Sequence, residues 1–106
     1  MPKYLIEASY TAEGTKGLLK DGGTKPRQMA EQALLSAGAK MEAFYFAFGD
    51  NDAYVIVDAP DQATVSAASL TINASGAVRL KTVVLITPEE IDQAVKKGVT
   101  YRPPGA

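Results

Sequence analysis

Three ionic side chains, carried by two strand-like segments, have the chemistry to bind an anion or move a proton. Glu7 lies in an alternating segment near the N-terminus, and Arg79 and Lys81 lie in a second such segment. Side chains on adjacent strands lie about 5 Å apart. Either Glu7 forms ion pairs with these cations, within a protomer or across an interface, or the cations bind a carboxylate or enolate while Glu7 or a tyrosine moves a proton. We favour the first interpretation, because partly buried ions are usually paired.

Few other residue types are available for chemistry. His, Cys and Trp are absent from the 106 residues. Their absence excludes an imidazole base, a thiolate nucleophile, zinc sites built from His or Cys, Cys-ligated clusters and disulfides. Carboxylates, Lys, Arg, Tyr and hydroxyl groups remain. We therefore expect no cofactor, and the sequence leaves open whether the protein is an enzyme.

Length and charge narrow the class of protein further. A chain of 106 residues is expected to form one domain over residues 1–106. Its net charge is −1, whereas a nucleic-acid binder usually has an excess of basic residues, so no nucleic-acid partner is expected. The longest apolar run, residues 83–86, is too short to span a membrane, and no signal-peptide core follows Met1. We expect a cytoplasmic protein without a membrane partner.

Hydrophobic periodicity and capping signals predict the secondary structure. Strands are predicted over residues 3–10, 40–48, 53–58 and 78–86. Helices are predicted over residues 24–37, from the cap Asp61 to the exit at Gly76, and after the capping box of Thr87 and Glu90. Ile91 and Val95 are expected to face inward in the last helix. Four glycines between residues 14 and 23 predict a short, mobile turn there, and residues 99–106 are expected to form an extended tail.

The order of these segments predicts the fold class. The pattern β-α-β-β-α-β, followed by an extra C-terminal helix and tail, is typical of a ferredoxin-like α+β sandwich. In that arrangement the first strand lies beside the third and the fourth, and two helices cover one face of the sheet. The other face, the open face, has mixed polarity. We therefore expect a homo-oligomer, a dimer or higher, that packs through the open face.

Strand alternation assigns side chains to the two faces. The face under the helices is predicted to hold Tyr4, Ile6, Ala8, Phe44, Phe46, Phe48, Ala53, Val55, Val57, Val78, Leu80, Val84 and Ile86. The open face is predicted to hold Leu5, Glu7, Ser9, Tyr45, Ala47, Tyr54, Ile56, Asp58, Arg79, Lys81, Val83 and Leu85. The candidates for binding a small anionic or aromatic ligand are Glu7, Tyr45, Tyr54, Asp58, Arg79 and Lys81.

The hairpin between the second and third strands carries a further signal. Residues 49–52 place three oxygen-bearing side chains together, but such turns usually satisfy their own backbone, and no distal Glu follows at calcium-loop spacing. We therefore expect no metal site there.

Short motifs along nearly the whole chain resemble one family. They are Tyr10-Thr11 with Gly14, Ala43-Phe44-Tyr45, residues 49–52, residues 57–61 and residues 76–79. Together they resemble the GYD domain family, small uncharacterised proteins named for a Gly-x-Tyr-Asp hairpin motif. Gly49 and Asp52 match that motif, and Asn51 stands where the family has Tyr.

The family is similar to the dimeric α+β barrel group, which includes cofactor-free monooxygenases, isomerases, haem-handling enzymes and stress proteins. The resemblance implies a pocket between sheet and helices or at the dimer seam. It favours a small-molecule-binding or cofactor-independent enzyme-like domain. The alternative is a non-catalytic oligomeric assembly or stress-related protein, because one fold serves many functions.

Overall fold

Strands and helices alternate along residues 1–105, the part of the chain that this computed structural model describes. The elements are β1 (Lys3–Tyr10), α1 (Ala12–Asp21), α2 (Thr24–Ala37), β2 (Lys40–Phe46), β3 (Ala53–Asp58), α3 (Gln62–Ala74), β4 (Val78–Leu85) and α4 (Pro88–Val95). The four strands over residues 1–105 form one open antiparallel sheet in the order β2-β3-β1-β4. The predicted α+β class is confirmed.

The pairing of β1 with both β3 and β4 is also confirmed. Tyr4 lies opposite Val57 on one side and Val84 on the other. Alternate residues of β1 and β3 are buried, as a strand with two unlike faces requires. The core lies between the sheet and helices α2 and α3, and its members include Tyr4, Ile6, Leu34, Val57 and Val65.

Local capping determines the ends of three helices where the sequence predicts them. Helix α2 ends at Gly38, whose φ of 94° is readily adopted only by a residue without a Cβ. Asp61 caps α3 by accepting a 2.8 Å hydrogen bond from the backbone N–H of Thr64. Thr87 and Glu90 form the predicted capping box of α4.

The predicted mobile turn between β1 and α2 is wrong, because residues 12–21 form the helix α1. Thr11 caps it by accepting a hydrogen bond from Gly14 N–H and also donates to the carbonyl of Gly76 at 2.9 Å. A Cβ on Gly14 would collide with the carbonyl oxygen of Ala77. Gly14 therefore allows close contact between α1 and the start of β4, and this contact outweighs the low helix propensity of glycine.

The hairpin after β2 begins earlier than predicted. Ala47 N–H already donates to the carbonyl of Asp52 at 2.7 Å, so the strand ends at Phe46. Phe48 lies in the loop and is fully exposed, which contradicts its predicted place under the helices. At the other edge of the sheet, β4 ends at Leu85, and Val84 and Ile86 are half exposed rather than buried.

The inward orientation predicted for α4 is wrong. Ile91 is 49% exposed and Val95 is 75% exposed. The capping box specifies this helix locally, whereas no buried residue anchors it to the sheet. The predicted tail has no helix or strand over residues 99–105, and Ala106 lies outside the described residues. No helix within residues 1–105 is both long and apolar enough to cross a membrane.

Candidate functional site

The sheet register brings four of the predicted site residues into one row of the open face. Tyr45 lies opposite Tyr54, Tyr54 lies opposite Glu7, and Glu7 lies opposite Lys81. Arg79 belongs to the next row, opposite Ser9. The predicted neighbourhood of Glu7, Arg79 and Lys81 is therefore present.

Asp58 lies apart from this row. It is opposite Lys3, four residues before Glu7 on β1, which corresponds to about 13 Å along a strand. Lys3 Nζ forms ion pairs with Asp58 at 2.8 Å and with Glu42 at 3.0 Å. The hydrogen bond from Lys3 lowers the pKa of Asp58, and the bonds to the two carboxylates raise the pKa of Lys3. Asp58 thus belongs to a separate ion cluster at the far end of the open face.

Asn51 connects the hairpin to the row that contains Glu7. Its Nδ2 donates to Glu7 Oε2 at 2.6 Å and to Tyr54 Oη at 3.3 Å, and its Oδ1 accepts from Ser9 Oγ at 3.4 Å. The sequence did not predict Asn51 as a site residue. The sequence feature that marks Asn51 is its position, since it stands where the GYD motif has tyrosine.

The favoured ion pairing of Glu7 is not formed within the protomer. Among residues 1–105, no ion pair joins Glu7 to Arg79 or Lys81, and both cations are exposed. Glu7, Arg79 and Lys81 line an open groove of about 630 Å³ together with Ser9, Asn51 and Asn73. We call it the groove. Within residues 1–105, neither of these two cations forms an ion pair with an acidic side chain.

The two hairpin residues that match the family motif have different roles. Asp52 Oδ2 accepts the backbone N–H of Tyr10 at 2.8 Å, and Asp52 N–H donates to the carbonyl of Ala8 at 2.8 Å. Asp52 therefore holds the hairpin against β1. Gly49 is exposed, and a Cβ there would contact nothing within 4 Å. Within residues 1–105, no cluster of three or more acidic side chains is arranged to hold a metal ion.

A second cavity lies on the opposite side of the sheet, beneath α1, α2 and α3. We call this cavity of about 480 Å³, which is about as open to solvent as the groove, the chamber. Apolar side chains from the sheet and from all three helices line it, among them Ile6, Val55, Leu18, Met29, Ala33 and Ile72. Gly14, Gly17 and Ala30 also line it, and such small residues leave space where larger side chains would fill the core. The family resemblance implies a pocket between sheet and helices but identifies no residue that lines it.

Tyr10 is the polar aromatic residue at the wall of the chamber. Its ring stacks on Phe46, with centroids 6.4 Å apart, and its backbone N–H is held by Asp52. Burial raises the pKa of the Tyr10 phenol, and the charge of Asp52 raises it further. The phenol therefore stays protonated at neutral pH and can donate a hydrogen bond.

Comparison with protein families matches residues 4–95 to the GYD domain. The matched segment contains every described residue that lines the chamber or the groove. Comparison with curated proteins gives no match.

Proposed function

This chain belongs to the GYD domain family, and we propose that it binds a small, largely apolar molecule in the chamber. The observation that supports this proposal is the chamber itself, about 480 Å³ of space lined by apolar side chains. Its volume lies within the range of about 300–1,000 Å³ that is typical of small-molecule sites. Apolar walls favour such a ligand through the hydrophobic effect.

We assign the fold to the ferredoxin-like sandwich of the dimeric α+β barrel type. The strand order β2-β3-β1-β4, with β1 between β3 and β4, supports this assignment. Packing of α2 and α3 against one face supports it as well, because the other face is then left for a partner.

A dimer through the open face is the second part of the proposal. Leu5, Ile56 and Val83 form an apolar row across that face, beside the row that holds Glu7 and Lys81. A two-fold interface is self-complementary, so Glu7 of one protomer can pair with the cations of its partner. The cations Arg79 and Lys81 support this arrangement, because neither forms an ion pair with an acidic side chain among residues 1–105.

The exposed cations Arg79 and Lys81 also favour a second candidate function. If dimerisation fills the groove, the domain is a non-catalytic assembly protein, and Arg79 and Lys81 stabilise its interface. If the groove stays open at the seam, these cations bind a small anionic or aromatic molecule there. A structure of the dimer distinguishes a dry interface beside Arg79 from a solvent-connected one.

A substitution that fills the chamber tests the proposal that a small apolar molecule binds there. The neutral probe N-phenyl-1-naphthylamine is titrated into the protein, and its fluorescence is expected to rise as it leaves water. Ala33→Phe places a large ring in the chamber and is expected to abolish this rise. Ala67→Phe, on the exposed surface of α3, is the matched control and is expected to leave binding unchanged. No binding by the wild type, or unchanged binding by Ala33→Phe, contradicts the proposal.

A further inference from the structure

We propose that the chamber selects neutral ligands that carry a hydrogen-bond acceptor, and that the hydroxyl of Tyr10 recognises that acceptor. This inference rests on the proposed function, because it names the class of ligand that the chamber takes. It follows from the hydrogen bonds of the polar side chains at the wall, because some of them already donate to groups of this chain and can donate nothing to a ligand.

Among the described residues that line the chamber, three carry a side-chain hydroxyl, and two of these hydroxyls already donate their proton within the chain. Thr71 Oγ1 donates to the carbonyl of Ala67 at 2.9 Å, and Ser75 Oγ donates to the carbonyl of Ile72 at 2.6 Å. A hydroxyl carries a single proton, so both are engaged within the chain. The hydroxyl of Tyr10 has no hydrogen-bond partner among residues 1–105. It is therefore the free side-chain hydroxyl donor of the described chamber wall.

The charges at the wall disfavour an anionic ligand. No Lys or Arg is among the described residues that line the chamber, and the charged side chain there is Asp21, 3.8 Å from Lys25. A carboxylate ligand would lose part of its hydration without gaining a cation, which costs free energy. Asp52, close enough to Tyr10 to affect its ionisation, adds further repulsion. A neutral molecule avoids both penalties.

Tyr10 is also held in place. The hydrogen bond from its backbone to Asp52 and the stacking of its ring on Phe46 restrict it at one end of β1. A donor that is already positioned loses little conformational freedom on binding, so its hydrogen bond contributes more to affinity. A carbonyl oxygen, the commonest neutral acceptor, suits a phenol donor.

Three probes of similar size test the inference by displacement of N-phenyl-1-naphthylamine. They are 2-acetylnaphthalene, which has a carbonyl acceptor, 2-ethylnaphthalene, which has none, and 2-naphthoate, which is an anion. The ketone is expected to bind the wild type about fivefold to tenfold more tightly than it binds Tyr10→Phe, the effect of one hydrogen bond, whereas the hydrocarbon should bind both proteins equally. Naphthoate is expected to bind the wild type more weakly than both neutral probes.

Tyr10→Phe retains the ring and removes the hydroxyl, so ketone binding should weaken by that factor while hydrocarbon binding persists. Tyr101→Phe, in the exposed tail, is the matched control and should bind both probes as the wild type does. Naphthoate that binds the wild type more tightly than the ketone overturns the inference whether or not the variant folds. Ketone binding that is unchanged in Tyr10→Phe also overturns it while leaving the chamber intact. If no neutral probe binds, the proposed function itself fails.

Discussion

The side-chain amide of Asn51 donates a 2.6 Å hydrogen bond to the carboxylate of Glu7, 44 positions away in the sequence. Lys81 lies directly opposite Glu7 in the sheet register and forms no ion pair with it. The carboxylate thus has a neutral partner from the hairpin, and the cation remains available to another molecule. This relationship links the stability of the hairpin to the chemistry of the open face.

Removing that amide tests the link. Asn51→Ala leaves Glu7 and Tyr54 without their donor, and we expect the free energy of unfolding to fall by about 0.5–1.5 kcal/mol. Asp50→Ala changes the adjacent exposed residue and is expected to have a smaller effect. Urea unfolding of both variants measures the difference. Equal losses would mean that the hydrogen bonds of Asn51 add nothing to stability.

Two glycines of α1 provide a matched pair of substitutions. At Gly14 a Cβ would collide with the backbone of Ala77, so Gly14→Ala is expected to destabilise the fold by about 1–3 kcal/mol. At Gly17 a Cβ meets nothing within 4 Å, so Gly17→Ala is expected to stabilise it by about 0.5–1 kcal/mol. Thermal unfolding should therefore shift in opposite directions. A Gly14→Ala variant as stable as the wild type, or more stable, would contradict the close contact between α1 and β4.

The ion cluster of Lys3 makes stability depend on pH. Because the folded pKa of Asp58 is lowered, its contribution is present above its unfolded pKa of about 3.9 and is lost as pH falls through the folded value. Because the folded pKa of Lys3 is raised, its contribution is present below about 10.4 and is lost as pH rises through the folded value.

Lys3→Met should therefore be less stable than the wild type between pH about 4 and about 10, and the two should converge outside that window. Added salt should also reduce the difference, since Lys3 is 42% exposed. Urea midpoints across the pH range measure it, with exposed Lys16→Met as the control. A difference that stays constant with pH would show that Lys3 acts through packing.

A charge exchange tests the proposed dimer. Lys81→Glu places two acids opposite each other in the register and beside the partner's Glu7, so dissociation into monomers is expected. Glu7→Lys combined with Lys81→Glu restores opposite charges and should restore much of the association. Light scattering gives the mass, and Lys20→Glu on α1 is the off-face control. A monomeric wild type, or a dimer that tolerates Lys81→Glu, contradicts the proposed interface.

Most helix ends and the two faces of the central strands β1 and β3 were predictable because their causes are local. Caps such as Asp61 and Thr87 act within three residues, and strand alternation needs only neighbouring positions. Helix α1 was missed for the opposite reason. Its glycines disfavour a helix locally, and contact between Gly14 and Ala77, far apart in sequence, reverses that preference.

The candidate site was likewise predictable only where its causes are local. Alternation correctly assigned Glu7, Tyr54 and Lys81 to one face, because register follows from strand pairing. The hydrogen bond from Asn51 to Glu7 was not predictable, since it depends on how the hairpin lies against β1. The burial of Ile91 was predicted wrongly, because an amphipathic pattern does not say whether a surface exists to cover it.

By itself, the sequence determined the α+β class, the order of most elements, the inventory of reactive groups and the family. The tertiary structure alone decided that Glu7 binds Asn51 rather than a cation within the protomer, and that a chamber with Tyr10 at its wall lies beneath three helices. The physical reason is the distance along the sequence over which each interaction acts. Capping and periodicity act over a few residues, whereas a cavity or a hydrogen bond across 44 positions exists only when distant segments pack together.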